Sequence, residues 1–362
     1  MQLVTHHDNC RLKIPYDLDL SLIHIFSSMG VTGVRKEITT NIGEMVDLVR
    51  SVSSPVSTIA LGTMYFGSRI NMTKSEELLH TYTSLGGNQI DTARSYASWL
   101  DGRDGTSEQA IGRWLKEYGQ RETLFIGTKG GLMPRGYNRD RGCLSCSHLE
   151  EELHKSLDAL GTGYVDVFWL HRDERERPVE EIVDTCDALV RQGLVRYMGA
   201  SNWSTERIQA ANAYAGAAGK HGFSMSQIQF GLGVCTPKAW GDGSVVCMDP
   251  LSYEWYRTAD IPLYAYSAQA QGFFSLYLEQ GEDALNEDTR RKYLTEENIA
   301  RARRLREASL RTGIGISALV IQYVLTREFE TFLVLGCSRA ARIREAFASM
   351  DVKIPDILDV RE

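Results

Sequence analysis

From Ile59 onward, short apolar runs alternate with longer stretches in which apolar residues recur every three or four positions. The short runs are Ile59–Leu61, Gln89–Ile90, Leu124–Ile126, Val165–Leu170, Val195–Met198, Met225–Ile228, Pro262–Ala265 and Thr331–Leu335. Runs of this length predict strands buried on both faces. The helical patterns are Lys74–Leu85, Glu108–Tyr118, Leu149–Leu160, Val179–Gln192, Thr205–Ala217, Leu251–Arg257, Glu297–Arg311 and Ile316–Thr326, with a last one at Ala340–Ala348. Boundary signals agree with them. Ser204 precedes Thr205 and Glu206 at one start, and Gly161, Gly193 and Gly313 sit just past helical patterns.

Strands alternating with helices make parallel βαβ units. Eight such units predict an α/β fold closed into a (β/α)8 TIM barrel over residues 56–362. An open doubly wound sheet is the alternative, but it wants a Gly-rich phosphate loop after its first strand. The stretch Leu61-Gly62-Thr63-Met64-Tyr65-Phe66-Gly67 lacks the G-x-G-x-x-G spacing. Residues 1–55 read differently, with an amphipathic stretch from Lys36 to Val52 and a Ser-rich end closed by Pro55. They are expected to form an N-terminal extension or cap.

Charge narrows the partners. With 40 Lys plus Arg against 47 Asp plus Glu, the net charge is −7, which argues against a nucleic-acid surface. No apolar run approaches the ~18 residues of a membrane span. The stretch Leu18–Phe26 contains Asp19 and lacks the basic start of a secretory signal. Seven Cys without a dense framework suit reduced thiols, so a cytoplasmic location is expected, with an oligomer left open.

Barrel enzymes carry their reacting groups at the C-terminal ends of the strands. Reading past each run gives Asp91 and then Tyr96, Thr128-Lys129, His171, Ser201-Asn202, Gln229, Tyr266-Ser267 and Gly336-Cys337-Ser338-Arg339. Each residue alone has an ordinary structural explanation. Asp, Tyr, Lys and His together on one rim suit proton transfer to a carbonyl or alcohol oxygen. A free phenol has a pKa of about 10, and a nearby ammonium favours the phenolate. A carboxylate keeps that ammonium charged, and an imidazole can orient the substrate oxygen. No side chain donates hydride, so this chemistry needs a nicotinamide cofactor.

These stretches resemble the aldo-keto reductase superfamily. The motifs are Leu61-Gly62-Thr63-Met64, Asp91-Thr92-Ala93 through Tyr96, Gly127-Thr128-Lys129, Leu160-Gly161-Thr162-Gly163-Tyr164-Val165-Asp166 through His171, Gly199-Ala200-Ser201-Asn202 and Tyr264-Ala265-Tyr266-Ser267. The match runs from about Ile59 to Phe347. The resemblance implies Tyr96 as general acid/base, Lys129 and Asp91 tuning it, and His171 orienting the carbonyl of a small-molecule substrate. It implies that Ser201, Asn202 and Gln229 hold the nicotinamide carboxamide, that Tyr266 stacks on the ring, and that Gly62, Thr63 and Met64 line the reacting centre. Ser267, Gln269, Gln271, Gly272 and Phe273 would approach the pyrophosphate. Gly336, Cys337, Ser338, Arg339, Arg342 and Glu345 would meet the adenosine end. Arg342 favours NADP(H) over NAD(H), because a guanidinium suits a 2′-phosphate.

The chain departs from the family pattern in places. Ala268-Gln269-Ala270-Gln271-Gly272-Phe273-Phe274 replaces the usual Pro-Leu after Tyr-Ser, and Ala346 follows Glu345 where the family often has Asn. Stretches such as Trp114-Leu115-Lys116 and Trp169-Leu170-His171-Arg172-Asp173 resemble bacterial members acting on sugars. A polyhydroxylated substrate is expected from Asp101, Arg103, Asp104, Arg172, Asp173, Gln269 and Gln271 among Trp99, Trp203, Trp240 and Phe273. A cofactor-binding, redox-sensing regulatory subunit is the alternative function. Cys143, Cys146 and His148 have part of a zinc spacing but lack a fourth ligand nearby, so no metal is expected.

Overall fold

The computed structural model describes residues 56–98, 100, 104–133, 142–350 and 352. The expected extension over 1–55 and the substrate-loop residues Trp99, Asp101 and Arg103 lie outside the described residues. Eight strands pair in parallel and in sequence order, and the first closes on the last. They are β1 Ile59–Gly62, β2 Gln89–Asp91, β3 Phe125–Gly130, β4 Val165–Leu170, β5 Val195–Ser201, β6 Phe223–Gln229, β7 Leu263–Tyr266 and β8 Thr331–Gly336. This is the (β/α)8 TIM barrel that the apolar runs predict. Every strand except β4 runs further than its apolar residues do, β3 and β5 furthest. β3 and β5 continue through Lys129 and Ser201, so these lie within the sheet and not past it.

The helices are α1 Met72–Ser84, α2 Thr106–Tyr118, α3 Cys146–Leu160, α4 Val179–Arg191, α5 Thr205–Ala218, α6 Pro237–Trp240, α7 Pro250–Tyr256, α8 Phe273–Gln280, α9 Glu287–Tyr293, α10 Glu296–Thr312, α11 Ile316–Leu325 and α12 Ala340–Met350. Helices α6, α8 and α9 have no counterpart in the hydrophobic pattern. α9 is almost wholly polar. It is held by its ends instead: the Asn286 side chain accepts from Thr289 N–H, acids fill the first turn and bases the last. Among the described residues no single helix is long and apolar enough to cross a membrane.

Alternation along the strands decides what fills the barrel. Trp169 of β4 points inward and is fully buried. It fits because its flanking strands carry glycines there. A Cβ on Gly127 would lie 2.7 Å from Trp169 Nε1, and one on Gly199 would lie 2.2 Å from Cε3. Tyr264 meets Trp169 edge-on at 5.1 Å and stacks on Phe332 at 4.6 Å. These rings form a packed floor beneath the C-terminal rim. The same parity places Asp91, Lys129, Ser201, Gln229 and Tyr266 on the inner face.

The turn after β2 is stitched to β3. Thr92 N–H donates to Gly127 O at 2.9 Å and Arg94 N–H to Lys129 O at 3.0 Å. Arg94 then reaches buried Glu108 on α2 at 3.1 Å, while Thr128 Oγ1 donates to the other Glu108 oxygen at 2.6 Å. Gly105 makes this possible. Its φ is +72°, and an added Cβ would sit 1.9 Å from Arg94 Nη1. Gly105→Ala is therefore expected to cost about 2–4 kcal/mol, by combining left-handed strain with loss of the Glu108 partner. Urea unfolding checks it, and a loss within 0.5 kcal/mol would contradict this account of the turn.

Candidate active site

Three side chains meet at the inner rim. Lys129 Nζ donates to Asp91 Oδ2 at 2.5 Å, to Thr92 O at 2.9 Å and to Tyr96 Oη at 3.0 Å. Lys129 and Asp91 belong to adjacent strands, and Tyr96 comes from the stitched turn. The second Asp91 oxygen accepts Gln227 Nε2 at 3.0 Å. Both oxygens of the carboxylate are thus occupied, as a buried charge requires. Gln227 was missed in the sequence because only the residue ending each run was read. Strand parity was the available signal, since Gln227 and Gln229 alternate with Ser226, whose hydroxyl instead meets Tyr256 on α7.

His171 follows β4, with its N–H anchored to Gly130 O at 2.8 Å. Ser95 Oγ lies 3.3 Å from Nδ1. The His171 and Tyr96 rings meet edge to face with centroids 6.1 Å apart. All four residues expected from the sequence therefore converge.

The electrostatics refine one expectation. Burial raises the Tyr96 pKa above its ordinary value. Lys129 and, more weakly, Arg172 pull it down, Asp91 adds to the rise, and the net direction is upward. Lys129 does not make a resting phenolate here. Its own pKa is raised: burial opposes its charge, but Asp91 and Tyr96 outweigh burial. The resting arrangement is a neutral phenol hydrogen-bonded by an ammonium.

Beside this cluster lies a second group of inward residues. Gln229 and Tyr266 are neighbours in register. Tyr266 Oη donates to Asn202 Oδ1 at 2.7 Å, and Val246 N–H donates to the same oxygen at 3.1 Å. Asn202 has a φ of +58° and its Nδ2 donates to Ser201 Oγ at 3.1 Å. Gln229 Nε2 is buried and has no partner among the described residues. A buried, unpaired amide beside a Ser, an Asn and a half-buried aromatic ring fits the carboxamide-bearing ring of a nicotinamide. Met64 is exposed at the same rim. Thr63 is not: it is fully buried, its Oγ1 and N–H donate to Asp91 O at 2.9 and 3.0 Å, its carbonyl accepts from Ser107 Oγ at 2.8 Å, and Gly62 packs on Val334.

The loop after β7 spends its side chains on the protein's own contacts. Gln269 donates to Ser317, Gln271 bonds Asp288 and Thr289, and Phe273 is fully buried and stacks on Tyr277. Those side chains serve the protein itself. Ser267, Ala270 and Gln271 all have positive φ, and Gly272 caps α8. Any anion met by this loop would be met by backbone N–H groups. At the far end Gly336, Ser338 and Arg339 are exposed and Cys337 is half-buried, its thiol pushed up to about 11 by burial. Arg342 is half-exposed and pairs with Glu345 at 2.6 Å.

The polar residues expected around a sugar are also engaged. Asp173 is gripped by Arg207 at 3.0 and 2.9 Å, and Arg172 is held by Asp242 and Ser244. Trp203 is fully buried against Phe223. Among the described residues no group of three His, Cys, Asp or Glu side chains is placed to hold a metal. Cys146 instead donates to Glu150, and His148 faces Glu152.

Comparison with known proteins agrees with this geometry. The Aldo/keto reductase family profile matches residues 58–357. An NADP(+) aryl-alcohol dehydrogenase of Phanerodontia chrysosporium is 31% identical over 213 residues, covering 54% of this chain and 53% of that one. An aldo-keto reductase of Emericella nidulans is 26% identical over 331 residues, covering 83% and 75%. The chain spans about half the length of the aryl-alcohol dehydrogenases it matches. A thermostable aldo-keto reductase solved with the inhibitor epalrestat shares the fold, with a TM-score of 0.62 at 23% identity over 84% of this chain and 93% of that one. The protein belongs to the Aldo/keto reductase family.

Proposed function

We propose that this chain reduces an aldehyde or ketone to an alcohol with NADP(H), and that Tyr96 delivers the proton. The observation that carries the reading is Lys129 Nζ joining Asp91 and Tyr96 at 2.5 and 3.0 Å on the inner rim. Bound nicotinamide would supply the hydride, held by Ser201, Asn202, Gln229 and Tyr266. The carbonyl oxygen accepts from Tyr96 Oη and from His171. As negative charge grows on that oxygen, the Tyr96 proton moves to it. Lys129 stabilises the phenolate left behind, and Asp91 and Gln227 keep the ammonium in place. NADP(H) is favoured by Arg339 and Arg342 at the exposed start of α12 and by the cofactor in the relatives' names.

For the substrate, the support is for an aryl or otherwise apolar carbonyl. Met64 and Tyr65 present exposed apolar surface just past the C-terminal end of β1. The described polar residues behind the sugar expectation, Asp104 apart, are tied up in ion pairs and hydrogen bonds. Steady-state turnover of a panel of aryl aldehydes and keto-sugars with both cofactors tests this. The expected result is kcat/KM at least about tenfold higher for aryl aldehydes, with NADPH preferred over NADH. No turnover of any carbonyl would sink the enzymatic reading. Sugars as the better substrates would overturn only the substrate class.

Tyr96→Phe keeps the ring and removes the proton. The expected loss in kcat is about 10²- to 10⁴-fold, with NADPH affinity within about threefold of the parent. A kcat within threefold of the parent would refute the role of Tyr96. The raised Tyr96 pKa sets the pH dependence. Reduction needs the protonated phenol, so it stays level through neutral pH and declines only above pH 10. Alcohol oxidation needs the phenolate and is expected to rise about tenfold per pH unit without levelling off below pH 10. A plateau below pH 9 would show a different proton carrier.

A further inference from the structure

One turn sends two neighbouring side chains to His171. The Tyr96 ring meets the imidazole edge to face, and Ser95 Oγ lies 3.3 Å from its Nδ1. Tyr96 has a part in the chemistry above, and Ser95 has none. The turn holds the two in fixed relation. Tyr96 N–H donates to Ala93 O at 3.2 Å, Ser98 N–H donates to Ser95 O at 3.1 Å, and Arg94 N–H ties the segment to Lys129 O on β3. Ser95 is half-buried, and among the described residues its hydroxyl has the imidazole as its one hydrogen-bond partner.

The main chain of His171 is fixed at three points. Its N–H donates to Gly130 O at 2.8 Å, and its carbonyl accepts from Arg172 Nη1 at 2.9 Å and from Asn202 Nδ2 at 3.4 Å. These bonds set where the ring is attached. They do not set how it turns about its side-chain torsions, nor which nitrogen carries the hydrogen. Ser95 reaches the ring itself, at Nδ1.

A neutral imidazole has one N–H donor and one bare acceptor nitrogen. A carbonyl oxygen is an acceptor, so the ring can orient it only through a nitrogen that carries hydrogen. In the other tautomer two acceptors would face each other. A serine hydroxyl can donate or accept. With no second acceptor for its hydrogen among the described residues, Ser95 donates to Nδ1, and the imidazole hydrogen is left on Nε2.

We propose that Ser95 is a positioning residue that sets the tautomer and the rotation of His171, so that Nε2–H is the group presented to the substrate carbonyl. In this role Ser95 acts through the imidazole and not on the substrate. Because it precedes Tyr96 in the same stitched turn, one backbone segment aims both donors at one oxygen. The effect on turnover rests on the carbonyl reduction proposed above, whereas the tautomer does not.

The experiment compares Ser95→Thr with Ser95→Val, two side chains of similar shape of which only threonine keeps the hydroxyl. Ser95→Ala serves as a second hydroxyl-free variant. Nitrogen–proton NMR spectra of the full chain, labelled at histidine nitrogen and recorded at about pH 8, above the ordinary imidazole pKa, read the tautomer. The chain has 8 His, and the His171 signals are those lost in His171→Gln. The expected result is the Nε2–H tautomer in the parent and in Ser95→Thr, and loss of that preference in Ser95→Val and Ser95→Ala. Steady-state reduction of an aryl aldehyde should show kcat about tenfold lower without the hydroxyl, as for the loss of one hydrogen bond, and within threefold of the parent in Ser95→Thr. NADPH affinity, read by fluorescence titration, should stay within about threefold throughout. A parent with hydrogen on Nδ1, or equal spectra with and without the hydroxyl, would overturn the proposal. A shifted tautomer with unchanged kcat would overturn the positioning role. If the parent turns over no carbonyl, the functional reading falls while the spectra still decide the tautomer.

Discussion

The ion pair between Lys129 and Asp91 is the constraint on which the rest of the site depends. Both groups are buried, at 1% and 6% side-chain exposure, and each would be strongly destabilising alone. The 2.5 Å contact offsets their desolvation only because the remaining valences are also satisfied. Thr92 O and Tyr96 Oη accept from the ammonium, and Gln227 donates to the carboxylate. This makes the pair a register lock. Side chains alternate along a strand, so a slip of β3 by one residue would turn Lys129 outward and leave Asp91 uncompensated. Chemistry and fold therefore select the same alignment of β2 on β3.

That lock needs a firm floor and a firm roof. The floor is Trp169, seated where Gly127 and Gly199 leave room for an indole. The roof is the start of the turn after β2, Thr92 to Ser98, fastened by Arg94 and by Glu108. Burial raises the Glu108 pKa while Thr128, Arg94 and Ser156 work against the rise. A second buried acid thus stabilises the turn that presents Tyr96. The turn carries strain as well, with Ala97 at φ +67°. Residues held in such conformations persist where surrounding contacts over-determine them, which the stitching to β3 provides.

The barrel and the four rim residues were legible because each leaves a local trace. Strands buried on both faces appear as apolar runs such as Val165–Leu170, and parallel units end with their functional residues at one rim. What was not legible depends on distant partners. Arg172 and Asp173 read as free polar groups, yet their partners Asp242, Ser244 and Arg207 lie 34 to 72 positions away. Trp203 read as a loop aromatic, yet α5 and β6 bury it. Helix α9 has no apolar stripe and is defined by its capping and charge. Gln227 was visible by parity, but an apolar run that contains a Gln does not advertise which face the Gln takes.

These facts divide the rim into two kinds of surface. Asp91, Lys129 and Gln227 sit on strands, each with a fixed partner, and the low dielectric there strengthens their contacts. Around the mouth, Arg172, Asp173 and Asp242 are consumed by ion pairs that hold the loops themselves. Arg172 shows the consequence. Its guanidinium is committed to Asp242 and Ser244, so its pull on Tyr96 acts at a distance and not by binding substrate. Among the described residues, Met64 and Tyr65 present exposed apolar surface past β1. On the functional reading proposed above, the donors with fixed positions are Tyr96 and His171, so a carbonyl would be selected by where its oxygen can reach Tyr96 Oη more than by the shape of its body.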